Sequence, residues 1–236
     1  MNVQNLTLQK SRFFERFLLQ FYFRLIGSHT YRKNRFCDKQ GNFVSFAQFW
    51  KSGFRSLMSS FLKLLNYSPA HPWIPYAAAH AIATQLHQKS VVLEFGSGRS
   101  TLWLAHQCRH VYSMEHSPFW FTKLKNALQK AQIDNVSLIF CREESSSRNF
   151  LRGLDQKFDL IIIDGKFRLS SFLTSLPYIK PGGFIYVDDT DRKWFDEDLS
   201  QIVSYVERNF NRDLTVYTDF VSQDFCVRQG MLVVVE

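Results

Sequence analysis

From Tyr76 onward, short β-rich runs alternate with helical patterns, and this alternation constrains the fold more than any other feature of the chain. The runs are VVLEF (91–95), HVYSME (110–115), VSLIFC (136–141), FDLIIID (158–164) and GGFIYVDD (182–189). Between and after them, apolar residues recur at helical spacing, as in SPFWFTKLKNALQKAQI (117–133), where Ser117 is a candidate N-cap ahead of Pro118. Strands alternating with helices imply a parallel sheet covered on both faces. FDLIIID is apolar at consecutive positions, as a central parallel strand requires. LTVYTDF (214–220) and DFCVRQGMLVVVE (224–236) then follow each other with no helical pattern between them. They are expected to close the sheet as an antiparallel hairpin. The expected fold is an α/β three-layer sandwich with seven strands, mostly parallel.

The loop after the first run reads EFGSGRST. Two glycines allow a sharp turn and close approach of a ligand to the backbone, and the helix that follows offers free N–H groups. Such a loop can hold a pyrophosphate. Two features argue against that ligand here. Thr101 stands where a dinucleotide fingerprint has its third glycine, and Glu94 places a carboxylate at the strand end. An acid at that point suits a ligand with a cationic ammonium group.

An acid, any residue, then Gly-x-Gly resembles motif I of the class I S-adenosylmethionine-dependent methyltransferases, which have a Rossmann-like fold. The resemblance covers about residues 71–236 and is closest in pattern to small-molecule O-methyltransferases. It implies that Glu94, Gly96, Ser97 and Gly98 surround the methionine part of the cofactor, with Ser100 and Thr101 at the start of the next helix. Ser100 stands where the family often has a third glycine. The resemblance further implies that Glu115, seventeen residues past Gly98, grips the ribose hydroxyls, with His116 beside it. Arg142 and Glu143 fall where the family contacts adenine. The LPYIKPGG turn before the fifth run also matches.

Methyl transfer needs alignment, exclusion of water and, for a hydroxyl acceptor, a base. Asp164, Asp188 and Asp189 end the fourth and fifth runs and are the candidate catalytic acids. Some small-molecule O-methyltransferases, such as catechol O-methyltransferase, hold a magnesium ion with acids at such positions. Three oxygen ligands would suit a hard divalent cation, so Mg²⁺ is an expectation to test, against the alternative that these acids line the cofactor pocket, bind the acceptor or cap a helix. Asp164 serves equally in the cofactor pocket. Lys166 and Arg168 either meet an anionic acceptor or are solvated loop charges. His71 and His116 are candidate bases or structural groups, and Trp73 either folds over the cofactor or packs in the core.

Charge is divided unevenly. Residues 1–70 hold eleven Lys or Arg against two acids, whereas residues 71–236 are nearly neutral. A basic segment is attracted to phosphates on lipid or nucleic acid. On a helix over residues 12–26, Arg12, Arg16, Gln20 and Arg24 form one polar stripe on an otherwise aromatic surface. That helix packs on the body or a second subunit, or lies in a membrane interface. A second amphipathic helix is expected from about Ser45 to Leu65. Residues 1–70 are therefore expected to be a basic, aromatic-rich helical extension, and residues 71–236 the cofactor-binding domain. No nucleic-acid motif appears. The four cysteines lack metal or disulfide spacing, and no segment has the apolar length of a membrane span. These features point to the cytoplasm, at a membrane surface if the extension lies there. The expected activity is methyl transfer, preferably to oxygen, on a small-molecule or lipid-like acceptor. The competing readings are an aminopropyltransferase, a nicotinamide-dependent oxidoreductase and a non-catalytic nucleotide-binding scaffold.

Overall fold

In the computed structural model, residues 35–65, 67, 71–210 and 214–235 are described. The expected helix over 12–26 lies outside them. The β-rich runs form β1 (Val91–Phe95), β2 (His110–Glu115), β3 (Val136–Phe140), β4 (Phe158–Ile163), β5 (Ile179–Val187), β6 (Leu214–Phe220) and β7 (Val227–Val234). One sheet joins them in the order β3-β2-β1-β4-β5-β7-β6. The first five are parallel, β7 is antiparallel to β5, and β6 is antiparallel to β7. This is the Rossmann-like sheet with its closing hairpin.

Alternation along each strand sends side chains to two separate cores. On one face Leu93, Phe95, Ile161, Ile163, Ile185 and Val187 pack with Leu151 of α5 (Glu144–Arg152), Phe172 of α6 (Arg168–Ser175) and Ile202 and Val206 of α7 (Asp196–Asn209). On the other, Val92, Leu160, Ile162 and Tyr186 pack with α2 (Tyr76–Gln85) and with Leu104 of α3 (Arg99–Ala105). Helix α4 (Pro118–Lys130) begins at Ser117, whose hydroxyl accepts from Trp120 N. β5 starts earlier than its apolar run suggests. Between the pairs Phe158–Ile179 and Leu160–Phe184 the ladder shifts, and residues 180–183 bulge out, with Gly182 at φ +73°. The turn expected at LPYIKPGG is thus absorbed into an irregular strand.

Helix α1 covers Phe46–Leu64, with a π-helical turn at Phe49–Gly53. Ser45 and Gln48 cap its start reciprocally. It lies along the edge strand β6. There Phe36, Val44 and Leu57 pack on Tyr76, Phe220, Phe225 and Val227 as a third apolar cluster. The four cysteines are buried thiols. Burial pushes Cys108 up to about 11, which makes it an inert core residue.

Gly230 in β7 lies against the fully buried Tyr186 ring. A Cβ there would stand 2.0 Å from the Tyr186 hydroxyl, which is itself anchored on Asp188 at 2.7 Å. Gly230→Ala is expected to lower unfolding stability by about 3 kcal/mol, seen as a reduced midpoint in urea denaturation.

Candidate functional site

β1 leads outward to β2 and β3, and the chain then crosses to β4 on the other side of β1. In open α/β sheets a ligand crevice lies at such a switch point, beyond the strand C-termini. The loops after β1 and β4 meet there backbone to backbone. Gly96, at φ +94°, donates its N–H to Met114 O at 2.8 Å, and Asp164 N donates to Phe95 O at 2.8 Å. A Cβ on Gly96 would be 2.7 Å from Asp164 C and Gly165 N, so only glycine fits. Beside this contact is an open, narrow cleft of about 30 Å³, well below the roughly 300 Å³ at which ligand pockets begin. Gly96, Glu115, His116, Cys141, Lys166 and Phe167 are among its lining residues.

Glu94 is fully buried behind the loop. Its Oε2 accepts from the Thr101 hydroxyl at 2.5 Å and the Ser113 hydroxyl at 2.6 Å, while Oε1 has no hydrogen-bond partner. Burial pushes its carboxyl up, against hydroxyl donors that include Ser100. Thr101 corrects the expectation placed on it. Its hydroxyl accepts from Gly98 N at 2.9 Å as well as donating to Glu94, and the residue is fully buried, so it braces the loop instead of facing a ligand. Gly98 faces open space, where a Cβ would meet nothing within 4 Å.

The Glu115 carboxylate sits at the end of β2 and ties the cleft together. Oε2 accepts from Ser97 N at 3.0 Å and the Ser97 hydroxyl at 2.9 Å, Oε1 accepts from Ser117 N at 2.7 Å, and His116 Nδ1 lies 3.2 Å from Oε1. Arg142 and Glu143 are exposed and stand outside the residues lining the cleft; Glu143 is the backbone N-cap of α5. His71 is also off the cleft. It packs against Tyr76 at 4.6 Å between ring centroids, and its carbonyl accepts from Arg99 Nε. Trp73 is 47% exposed, with the Lys63 ammonium 5.2 Å from its ring centre.

Asp164, Asp188 and Asp189 converge at the ends of β4 and β5, with one carboxylate oxygen of each within 4.8 Å of the others. Asp188 is 5% exposed and accepts from the Tyr186 hydroxyl. Burial first, and the neighbouring Asp189 second, push its carboxyl up to about 7. Burial and the Asp188 charge raise Asp164, opposed by Arg168. Asp189 holds φ +56°, a left-handed conformation that Asp tolerates better than most residues.

The cation among these acids is Arg168. Its Nη2 reaches Asp164 Oδ1 at 3.0 Å and Asp189 Oδ2 at 3.2 Å. Arg192 Nε adds a bond to Asp189 at 2.9 Å, and Arg228 lies 3.9 Å from the same oxygen. Arg168 is buried and stacked over Trp194 and Phe195. The expected magnesium site therefore does not fit. The permanently charged Arg168 guanidinium bonds one oxygen each of Asp164 and Asp189 and uses lone pairs that a divalent ion would need. Lys166 is the exposed, cleft-lining charge of this loop, whereas Arg168 is neither solvated nor aimed at bulk water.

Sequence reasoning missed Ser113, Tyr186 and Arg228. Ser113 could have been found from pairing, because it stands opposite Glu94 in the β1–β2 ladder. Arg228 has no local signal, since the hairpin alone brings it to Asp189.

Residues 93–190 match a family model described as a methyltransferase domain. These residues carry a methyltransferase domain, set in a Rossmann-like sheet. The methyltransferase fold recurs in an O-methyltransferase from Bacillus cereus in complex with SAH (19% identity, TM-score 0.57, 76% of this chain and 81% of that one). It recurs in an rRNA methylase from Streptococcus thermophilus (18%, 0.52, 69% and 97%). A precorrin 8W decarboxylase from Methanobacterium thermoautotrophicum is similar as well (18%, 0.51, 72% and 95%). At these identities the likeness speaks to the fold. No curated protein matches the chain. Among the described residues of the methyltransferase, no helix is long and apolar enough to cross a membrane.

Two outcomes follow from the acid cluster. Because the folded Asp188 carboxyl titrates near 7 and the unfolded one near 4, the native state holds a proton that the unfolded chain has lost. Stability is therefore expected to fall as pH rises between those values, and Asp188→Asn should flatten that fall by about 2–4 kcal/mol. Urea unfolding of both proteins at pH 5 and pH 8 measures it. Because Arg168 fills the cation position, titration with Mn²⁺ followed by electron paramagnetic resonance is expected to show no site tighter than about 1 mM.

Proposed function

We propose that the methyltransferase transfers the methyl group of S-adenosylmethionine to an oxygen atom of a small-molecule or lipid-like acceptor. The observation that carries this reading is Asp164. Its side chain is 35% exposed, it adjoins the cleft-lining Gly165, and its carboxyl is held above the ordinary carboxylate range. A carboxylate whose affinity for a proton is raised is a stronger base toward an acceptor hydroxyl. Asp188 and Arg168 set that basicity from behind, one raising it and the other restraining it.

The residues present suit the cofactor. Oε1 of Glu94 makes no direct hydrogen bond, with the Ser100 hydroxyl among the groups that face its carboxylate, and is the buried acceptor toward which the motif places the ammonium group. Gly98 leaves room beside the loop, and Gly96 lines the cleft. Glu115 lines the cleft with His116 at the rim, and a vicinal diol would take the place of the Ser97 hydroxyl or His116 contact on its carboxylate. The cofactor supplies a methyl on a sulfonium whose leaving group is neutral. The protein's part is to align the acceptor, exclude water and take the hydroxyl proton on Asp164. That the Bacillus cereus neighbour binds SAH supports the choice of cofactor. A polyanionic acceptor such as RNA is disfavoured. Residues 71–236 carry slightly more acids than bases, and carboxylates crowd the strand ends where the acceptor would approach.

Calorimetric titration with S-adenosylhomocysteine, with NADH as control, tests the reading. Wild type is expected to bind S-adenosylhomocysteine and not NADH. Glu115→Ala should weaken binding by about ten- to a hundredfold. Asp164→Asn should retain binding while methyl transfer to hydroxylated acceptors falls by about 10²–10⁴. No binding, or full turnover by Asp164→Asn, overturns it.

A further inference from the structure

Helix α1 meets the protein through Phe49 and Leu57, which pack on the Phe220 cluster, and through a row of small and polar residues. Ser52 donates to Asp219 Oδ2 at 2.9 Å, Ser56 donates to Val221 O at 2.5 Å, and Ser59 accepts from Gln223 N at 2.8 Å. Gly53 lies under the Phe220 ring, where a Cβ would be 3.1 Å from the nearest ring atom. The face turned away is apolar. Phe46, Trp50, Phe54, Met58, Phe61 and Leu65 follow one another at steps of four or three residues, and each is 43–78% exposed. Tyr67 and Trp73 extend the patch. A surface helix ordinarily turns its apolar stripe to the core. A continuous exposed stripe of this kind marks a binding surface.

Charge selects the occupant. The chain carries no Asp or Glu between Asp38 and Glu94, and α1 carries Lys51, Arg55 and Lys63. The Arg55 guanidinium stands 4.7 Å above the Tyr76 ring and the Lys63 ammonium 5.2 Å from the Trp73 ring, so both cations are held at the base of the stripe. A second copy packed on this stripe about a two-fold axis would bring these cations together with no acid to meet them. An anionic bilayer answers both features. Phe, Trp and Leu enter the boundary between headgroups and acyl chains, and Lys and Arg meet the phosphates.

We infer that α1 is a membrane-interface helix that seats the methyltransferase on an anionic lipid surface, with its Phe46–Leu65 stripe in the bilayer. This goes beyond the catalytic proposal and stands independently of it.

The test uses the full chain and vesicles of phosphatidylcholine, alone or mixed with phosphatidylglycerol. Residues 1–34 contain no tryptophan, so quenching of tryptophan fluorescence by brominated acyl chains reports on the described part of the molecule. The protein is expected to float with the mixed vesicles and not with phosphatidylcholine alone. Quenching should be reduced in Trp50→Phe, which keeps the apolar surface and removes the reporter. The double variant Phe54→Ser/Phe61→Ser, altered only at exposed positions, should partition at least about tenfold more weakly while its melting temperature and S-adenosylhomocysteine affinity stay unchanged. Three results overturn the inference. The first is no flotation. The second is flotation with quenching that Trp50→Phe leaves unchanged, which assigns binding to residues 1–34. The third is a lipid-free dimer, seen by sedimentation, that the double variant dissolves, which assigns the stripe to a second copy.

Discussion

The close approach of two loops, after β1 and after β4, sets the geometry on which the rest of the site depends. Gly96 and the Asp164–Gly165 backbone come together with no room for a Cβ, and each loop also hydrogen-bonds a neighbouring strand end. Because the chain leaves β1 in one direction and returns to β4 on the other side, this is where the sheet edge opens. The contact fixes Glu94 and Glu115 on one side and Asp164 on the other. Asp164 thereby stands among Asp188, Asp189 and Glu94, and burial first and those charges second raise it, while burial and Asp189 raise Asp188. The electrostatics of the site are thus a consequence of strand order.

Such a concentration of acids needs positive charge, and the way this chain supplies it is informative. Arg168 comes from the first turn of α6, only four residues after Asp164, and Arg228 from β7, which lies next to β5. Removing Arg168 would leave Asp164 without its cation and Asp189 with Arg192 and Arg228 alone, so this buried guanidinium is part of the folded structure and not an exchangeable counterion. Its stacking on Trp194 and Phe195 holds the plane of the fork. The acids alone allowed a metal set in the sequence, beside a role in the cofactor pocket, in acceptor binding or in capping a helix. The arginine, which stood beside them as a loop charge, decides otherwise once its side chain is seen to turn inward.

The parts that were legible in the sequence rest on period and punctuation. Strand alternation, the Gly-x-Gly loop and the missing helix before the last run dictate the sheet and its hairpin. Glu94 and Glu115 were legible because each ends a strand. Thr101 was misread because its place in the motif says nothing of rotamer, and its hydroxyl turns back to Glu94. Glu143 was assigned from the family's order of loops, but it is an exposed residue at a helix start. Ser113 and Arg228 are functional only through pairing across the sheet, which a local pattern does not carry. Helix α1 shows the same limit in another form. Its apolar stripe was visible, but not which side meets the protein. The serines at 52, 56 and 59 decide that, because β6 ends in polar groups that a phenylalanine could not satisfy.

The position of α1 bears on the acceptor as well. β7 is antiparallel to both β5 and β6, so β6 runs in the same direction as β5 and β4. The serine contacts of α1 are to Asp219, Val221 and Gln223, at the C-terminal end of β6. That is the same edge of the sheet at which Asp164 and Asp188 stand. β6 is three strands from β4, on the order of 15 Å at ordinary strand spacing. With α1 in the headgroup layer, the mouth of the cleft lies within reach of the lipid–water boundary. An acceptor held at that boundary would approach along the surface and not from bulk water. A neutral catalytic body behind a cationic, aromatic helix divides the work accordingly. On the proposed reading the extension would supply attraction to the surface, and the acids at the strand ends would act on an uncharged hydroxyl.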